Sequence, residues 1–359
     1  MDAPRDASAP LLISSDPLLV TDVQRLSAAA GVLPEVVRDP AQALRWWSAA
    51  PLVLVGSDCA GVLAASSPPR RARVFVLGRS PLDNALFRDA LGVGAETVAG
   101  LPESETWLVE LLTDVGDGSA VPGVTIGVLG GAGGAGATVF AAALAQVAAD
   151  IGPTLLVDAD PIGAGIDRVL GLESSVGIRW DSMLQTTGRL SSRSLREALP
   201  RTGMLSVLTW PPDRPASLQA FAMREVLSAG RRGFEVVVVD LPRHHDAVVE
   251  ETITRCDHVV LVSTLTVPGV TSAARVASRL PEFSPERHLV TRGSRAGATP
   301  ESVSRLLRMP LLASMGDQRG LDEAINLGAG PARSRRGTLA RAARSCAIAL
   351  LPERSVAAA

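Results

Sequence analysis

The segment between Val124 and Ala149 constrains the fold most, because a strand, a glycine-rich turn and a helix follow one another there without a break. The strand reads VTIGVLG, the turn GAGGAGA and the helix TVFAAALAQVAA. Glycines let the backbone take positive φ angles and let its N–H groups converge, and the first turn of a helix adds about half a positive charge. These features predict an anion-binding site that needs no charged side chain.

Two glycine patterns fit this turn. Gly131-x4-Gly136-Ala137-Thr138 has the spacing of the phosphate-binding P-loop, GxxxxGK[ST], with alanine in place of the lysine. Gly131-x-Gly133-x2-Gly136 also satisfies GxGxxG, the fingerprint of NAD-type dinucleotide sites, in which Asp158 would be the ribose-binding acid. A glycine turn that only packs the helix on the strand is the third alternative.

Acidic residues downstream favour the P-loop pattern. Asp158 and Asp160 end the apolar strand LLVDAD, and Asp240 ends FEVVVVD, which is typical of a Walker B strand whose acid holds Mg²⁺. Thr138 stands where a hydroxyl would bind the same ion. We predict Asp158 and Asp240 as catalytic acids, Thr138 and Asp240 as Mg²⁺ ligands, and an ATP or ADP site formed by Gly131, Gly133, Gly134, Ala135, Gly136, Ala137 and Thr138.

The loop and the strands LLVDADP and FEVVVVDLP resemble the MinD/ParA group of P-loop ATPases. The signature of that group, KGGxGK[ST], has two lysines, whose positions are Ala132 and Ala137 here; the whole chain has no lysine. Within the group, the degenerate loop and the stretch AGRRGFEVVVVDLPR (Ala229–Arg243) are similar to actinobacterial CpaE-like proteins, which include septum site-determining proteins of the Ssd type. These join a receiver-like domain to a MinD-like domain.

This resemblance implies a regulator of septum site placement and cell division, or of the localisation of the Tad/type II secretion apparatus. Its partners would be proteins of that machinery, and a homodimer is compatible with it. Without the lysines we expect weak binding of ATP or ADP with Mg²⁺ and little or no hydrolysis, and an empty site remains an alternative. Arg168, Arg243 and Arg292 are candidates for the missing positive charge. The competing functions are an NAD-type enzyme that uses GxGxxG and a scaffold that binds no nucleotide.

Short apolar runs alternating with helical patterns predict α/β units with parallel sheets in both halves of the chain. We place a receiver-like (flavodoxin-like) domain at residues 1–115, a linker (GDGSAVPG) at 116–123, and a doubly wound MinD/ParA-type P-loop NTPase-like domain at 124–359.

The receiver-like domain lacks the residues of phosphotransfer. A working receiver needs an acid pair after the first strand, an acceptor aspartate ending the third, and a lysine after the fifth. Here Asp16 stands alone, Gly56 takes the acceptor position with Asp58 two residues later, and no lysine precedes Pro102. We predict a pseudo-receiver that serves as an adaptor or dimerisation module.

Composition excludes several other classes. The net charge of -2 argues against a nucleic-acid partner, and three scattered cysteines suit a reducing compartment. The polar start MDAPRDASAP is not a secretory signal and no apolar run reaches membrane-spanning length, so we expect a cytoplasmic protein. The last helix, around Thr338–Leu351, is expected to dock on the sheet, with peripheral membrane contact as the alternative. His244-His245-Asp246 is interpreted as a solvated loop, and Cys256-Asp257-His258 as structural.

Overall fold

The computed structural model describes residues 9–116, 122–183, 190–211, 218–280, 285–293 and 297–351. The chain divides into two compact units, Met1–Ala120 and Val121–Ala359. The division falls within the stretch assigned to the linker from the sequence, of which residues 117–121 lie outside the described part.

The first unit is a five-stranded parallel sheet flanked by helices. Its elements are β1 (Leu11–Ile13), α1 (Pro17–Ala29), β2 (Glu35–Val37), α2 (Pro40–Ala43), β3 (Val53–Gly56), α3 (Ser57–Ala65), β4 (Val74–Arg79), α4 (Asn84–Val93), β5 (Thr97–Leu101) and α5 (Glu105–Gly116). The strand order β2-β1-β3-β4-β5 is the flavodoxin-like order. Every residue of β1 and β3 is buried, because helices cover both faces of the sheet.

The second unit repeats the strand–helix alternation around a larger sheet. Its elements are β6 (Val124–Gly130), α6 (Ala137–Ala149), β7 (Thr154–Asp158), α7 (Ile166–Leu170), α8 (Trp180–Met183), α9 (Ser192–Ala198), β8 (Arg201–Thr202), β9 (Leu205–Leu208), α10 (Ala220–Gly233), β10 (Val236–Leu241), α11 (Ala247–Thr254), β11 (His258–Thr264), α12 (Val267–Ala277), β12 (Glu286–Arg292), α13 (Pro300–Leu307), β13 (Leu311–Met315), α14 (Leu321–Asn326) and α15 (Thr338–Leu350).

The strand order in this sheet, β13-β12-β11-β6-β10-β7-β9-β8, puts the strand that carries the glycine loop in the middle. All pairs are parallel except β8 with β9. The neighbour of β6 on one side is β10, and β7 is the next strand beyond it. The carboxyl ends of β6, β10 and β7 therefore meet at one edge, where Asp240 stands opposite both Val128 and Asp158.

The last helix docks on this unit, as expected from the sequence. Helix α15 packs against α6 and β13, and its apolar positions Leu339, Ala343, Ala347 and Leu350 are buried. The apolar face that a membrane would contact is therefore covered by the protein. None of the described helices is both long and apolar enough to cross a bilayer.

In the first unit, the carboxylate of Asp58 lies at the carboxyl edge between β1 and β3. It accepts hydrogen bonds from the Ser14 hydroxyl at 2.9 Å and from both the backbone N–H and the hydroxyl of Ser15 at 2.7 Å. Burial raises the pKa of Asp58, but these hydrogen bonds outweigh burial and hold the pKa below its usual value. The β1–α1 loop thus supplies this carboxylate with donors, and no cation is needed to balance it.

Replacing this carboxylate should loosen the first unit. A lowered folded-state pKa adds stability above the unfolded pKa of about 4, and that stability is lost as the pH falls through the folded value. We expect Asp58→Asn to lower the free energy of unfolding by about 1 kcal/mol at neutral pH, since the group is partly solvated, and by less below about pH 4. Hydrogen exchange of β1 and β3 measures this in the intact chain. Asp89→Asn on α4 is the control, and equal effects of both substitutions at all pH values would contradict the account.

Candidate functional site at the glycine loop

The glycine loop leaves β6 at Gly130 and enters α6 at Ala137. Gly134 and Gly136 have φ angles of 71° and 89°, in the left-handed region that side chains disfavour. Gly136 begins the helix without a side-chain cap, and the first turn of α6 holds no acid. Among the described residues, the N–H groups of Gly133, Gly134 and Gly136 have no hydrogen-bond partner. The loop therefore offers uncapped amides at a helix N-terminus, which is the chemistry of an anion site.

Two positions of the predicted set have their N–H groups already engaged. Gly131 donates to the carbonyl of Val262 at 2.8 Å, and a Cβ on Gly131 would lie 2.7 Å from that of Ala273. Ala135 is buried and donates to Ala132 at 3.2 Å. Gly131 therefore joins the loop to β11 and α12, and Ala135 closes the turn. The amides left for a ligand belong to the other residues of the predicted set.

Behind the loop, Asp240 is buried at 3% exposure, and no arginine among the described residues acts to lower its pKa. Burial raises its pKa to about 8; a hydrogen bond with the Thr138 side chain opposes this, and the charges of Asp158 and Asp160 add to it. The structure thus brings together Thr138 and Asp240, the two residues predicted to hold Mg²⁺. A divalent cation at this point would supply the positive charge that balances the carboxylate.

Asp158 is held differently from Asp240. Its carboxylate accepts hydrogen bonds from the Thr209 hydroxyl at 2.8 Å and from the N–H groups of Ile166 and Asp160 at 3.1 Å. Burial raises the pKa of Asp158 to about 6 although these hydrogen bonds lower it. Its two oxygens thereby hold the β7–α7 loop in place against the end of β9. Asp160 is more exposed and uses one oxygen to accept from the N–H of Ile162 at 3.1 Å.

Two arginines flank the loop where the chain lacks lysine. Arg243 follows β10, and its Nη1 would lie 3.4 Å from a Cβ added to Gly133. Arg292, at the end of β12, donates from Nη1 to the carbonyl of Gly134 at 3.3 Å and from Nε to Asp317 at 3.0 Å. Two of the three arginines named from the sequence thus reach the loop. Arg168, the third, lies on α7, and none of its described contacts is with the loop.

The strand order distinguishes between the P-loop pattern and the GxGxxG pattern of the glycine loop. In a dinucleotide fold the acid-bearing strand follows the loop strand in sequence and pairs with it directly. Here β10 lies between β6 and β7, and the oxygens of Asp158 are used within the protein. The GxGxxG pattern therefore lacks both the neighbouring strand and the free carboxylate that a ribose requires.

Comparison with known proteins agrees with this arrangement. Residues 13–122 match the family model described as Rv3660c-like, CheY-like N-terminal domain. The protein Rv3660c of Mycobacterium tuberculosis is 39% identical over 340 residues, which span 92% of this chain and 94% of that protein. The chain belongs to the Rv3660c-like family. The receiver-like fold predicted for the first unit is confirmed.

For the second unit of this Rv3660c-like protein, the similarity extends to MinD. A putative septum site-determining protein MinD of Nephroselmis olivacea is 30% identical over 153 residues, 42% of this chain and 55% of that protein. MinD from Pyrococcus horikoshii, solved as a complex with Mg-ADP, covers 65% of this chain and 98% of its own at a TM-score of 0.55 and 17% identity. A chain of the MinC:MinD cell division protein complex of Aquifex aeolicus matches at a TM-score of 0.52 and 19% identity. The match covers 64% of this chain and 97% of that one. The second unit thus has the MinD/ParA-type P-loop NTPase fold, as predicted.

Removing the charge of Asp240 should stabilise the Rv3660c-like protein while no metal is bound. A raised folded-state pKa adds stability that is fully present below the unfolded pKa of about 4 and is lost as the pH rises to about 8. We expect the advantage of Asp240→Asn over the wild type to grow across that window, reaching on the order of a few kcal/mol. Hydrogen exchange of β6 and β10 in EDTA at a series of pH values measures it.

The exposed Asp322→Asn on α14 is the control for this measurement. Its effect on hydrogen exchange should be small and independent of pH. An Asp240→Asn variant that is equally destabilised at every pH would mean that the carboxylate is balanced in the native state.

Proposed function

We propose that the second unit binds ATP or ADP with Mg²⁺ weakly and hydrolyses it slowly or not at all. The observation that carries this proposal is the pair of arginines, Arg243 and Arg292, beside a glycine loop that has free amides and leads into Thr138, next to Asp240. The amides and arginines would attract the phosphates, and Thr138 with Asp240 would hold Mg²⁺. MinD from Pyrococcus horikoshii, which shares this fold, was solved with Mg-ADP.

The binding should be weak because the arginines are not in the positions of the lost lysines. Ala132 and Ala137 carry no charge, and Arg292 also binds Asp317 at 3.0 Å, which offsets part of its charge. Loss of one charge-assisted hydrogen bond costs about 1.5–3 kcal/mol, or about 10- to 150-fold in affinity. Loss of a group that stabilises transition-state charge lowers a rate by about 10²–10³.

We further propose that the protein is a CpaE-like regulator of the MinD/ParA kind that acts in septum site placement and cell division. The similarity to septum site-determining proteins supports this process, and the MinC:MinD complex supports a protein partner for this fold. The pseudo-receiver would then dock division proteins, with nucleotide on the second unit as a switch. Localisation of the Tad/type II secretion apparatus is the second process that the CpaE-like resemblance implies.

Equilibrium binding of nucleotides to the full chain tests the proposal. We expect ATP and ADP to bind more tightly with Mg²⁺ than without, and more tightly than NADH. Arg243→Ala and Arg292→Ala should each weaken ATP binding about tenfold, since each removes one charged donor. The exposed Arg305→Ala on α13 is the matched control and should leave the affinity unchanged.

A gain-of-function variant sharpens the same test. Ala137→Lys returns an amine to the start of α6 and should tighten ATP binding about tenfold or more. Steady-state turnover of wild type should be near background. Binding of NADH in preference to ATP would support the dinucleotide enzyme, and no binding of any nucleotide, even to Ala137→Lys, would support the scaffold. Rapid wild-type hydrolysis that Asp240→Asn abolishes would contradict the slow-turnover proposal.

A further inference from the structure

The opposite edge of the second sheet carries a cluster of metal-ligating side chains that the glycine-loop function does not use. His258, Glu286 and His288 each place a ligand atom within 4.8 Å of the other two. They form the one such group of three histidine, cysteine or acidic residues in the part of the chain that the structure describes. Two imidazoles and one carboxylate are the donor set found in many zinc sites.

Strand pairing brings the three side chains together. β11 and β12 are parallel, and His258 stands directly opposite Glu286 at the amino ends of the two strands. His288 follows Glu286 by two residues, so both point to the same face of the sheet. The cluster is therefore fixed by two interior strands and not by a mobile loop, which is a favourable basis for a defined coordination geometry.

The distances agree with a tetrahedral ion. Nδ1 of His258 lies 3.3 Å from Oε2 of Glu286 and 3.3 Å from Nε2 of His288, and the latter two atoms are 3.7 Å apart. Bonds of 2.0–2.1 Å at tetrahedral angles separate neighbouring ligand atoms by about 3.3 Å. The three donors thus already have the mutual spacing of a zinc site.

Burial and hydrogen bonding also suit ligation. The His258 and His288 side chains are 18% and 11% exposed, whereas Glu286 is 74% exposed. Nδ1 of His288 has no hydrogen-bond partner among the described residues, so its polar contacts are made through Nε2, within the cluster.

We propose that His258, Glu286 and His288 bind a divalent transition-metal ion, Zn²⁺ before others, at the amino ends of β11 and β12. Three protein ligands leave a fourth position for water or for a donor from a partner, on the open side where Glu286 lies. The ion would join the two strands at their start through coordination bonds and would stabilise the second unit by its binding free energy. The glycine loop lies at the carboxyl ends of the strands, so this site does not depend on the proposed nucleotide function.

Metal titration of the tag-free full chain tests the proposal. We expect Zn²⁺ to bind with a stoichiometry of one per chain and to raise the unfolding temperature. Co²⁺ should give the intense visible absorption of a four-coordinate ion without thiolate charge transfer, because Cys59, Cys256 and Cys346 are all buried and take no part. His258→Gln and Glu286→Gln should each weaken binding by about 100-fold or more, beyond the roughly 10- to 100-fold effect of outer-shell changes.

The other two histidines of the chain provide the matched control. His244 and His245 are exposed, and His244 contacts Asp246 at 3.2 Å, so they are the alternative metal-binding pair. The double variant His244→Gln/His245→Gln should bind Zn²⁺ as the wild type does. Glu286→Gln changes an exposed side chain and keeps the test valid if a histidine variant fails to fold.

Three results would overturn the proposal. The first is the absence of saturable Zn²⁺ binding to the wild type. The second is loss of binding in the His244→Gln/His245→Gln variant together with its retention in His258→Gln. The third is a Co²⁺ spectrum of an octahedral, fully hydrated ion that Glu286→Gln leaves unchanged.

Discussion

Charge balance at the carboxyl edge of the second sheet decides what this unit can do. Asp240 is buried beside Asp158 and Asp160, and its pKa rises to about 8 because burial and like charge both disfavour ionisation. A protein that uses this edge only for packing would gain stability from an apolar residue there, since a buried, unpaired carboxylate is costly. The Thr138–Asp240 pair is better explained as two of the ligands of a cation site. Two arginines of the unit, Arg243 and Arg292, lie beside the loop at Gly133 and Gly134. The edge thus combines acids that suit a cation with arginines that suit an anion.

In the first unit, a carboxylate at the corresponding edge of the sheet is balanced by hydrogen bonds within the protein. Asp58 also lies at the carboxyl edge of a parallel sheet, yet its pKa is lowered because Ser14 and Ser15 donate three hydrogen bonds to it. Its charge is balanced within the protein, and neither a metal nor a phosphoryl group is required. The two carboxylates thus differ because Asp58 is balanced by hydrogen bonds, whereas Asp240 is buried with its pKa raised. The small-ligand function that we propose therefore uses the second unit.

Much of this architecture could be predicted from local sequence, and the rest required strand pairing. Apolar β-branched runs such as VVVVD identify buried parallel strands, and the glycine turn identifies the loop. Helix α3 is hard to predict from its sequence, because SDCAGVLAA has no N-cap hydrogen bond and only a weak amphipathic pattern. Helix α2 ends at Ala43, and the turns that follow it carry Trp47 into the core. Candidate arginines for the glycine loop could be named from the sequence. Which of them reach the loop could not be decided, because this depends on the strand order β12-β11-β6.

The histidine cluster illustrates the limit most directly. His258 and Glu286 are far apart in sequence, and only the parallel register of β11 with β12 makes them neighbours. The available signal was the Glu-x-His spacing at the start of a buried strand, which has meaning only once its partner strand is known.

The two strands that hold the cluster also reach the glycine loop. β11 accepts the Gly131 N–H through Val262, and β12 ends at Arg292, which contacts Gly134. Coupling between the two edges would require an element with two discrete arrangements. β11 and β12 are paired throughout β11 and buried through most of their length, and such strands do not deform gradually. A cation at the amino edge would therefore make β11 and β12, which contact the glycine loop, more rigid without altering the geometry of the loop.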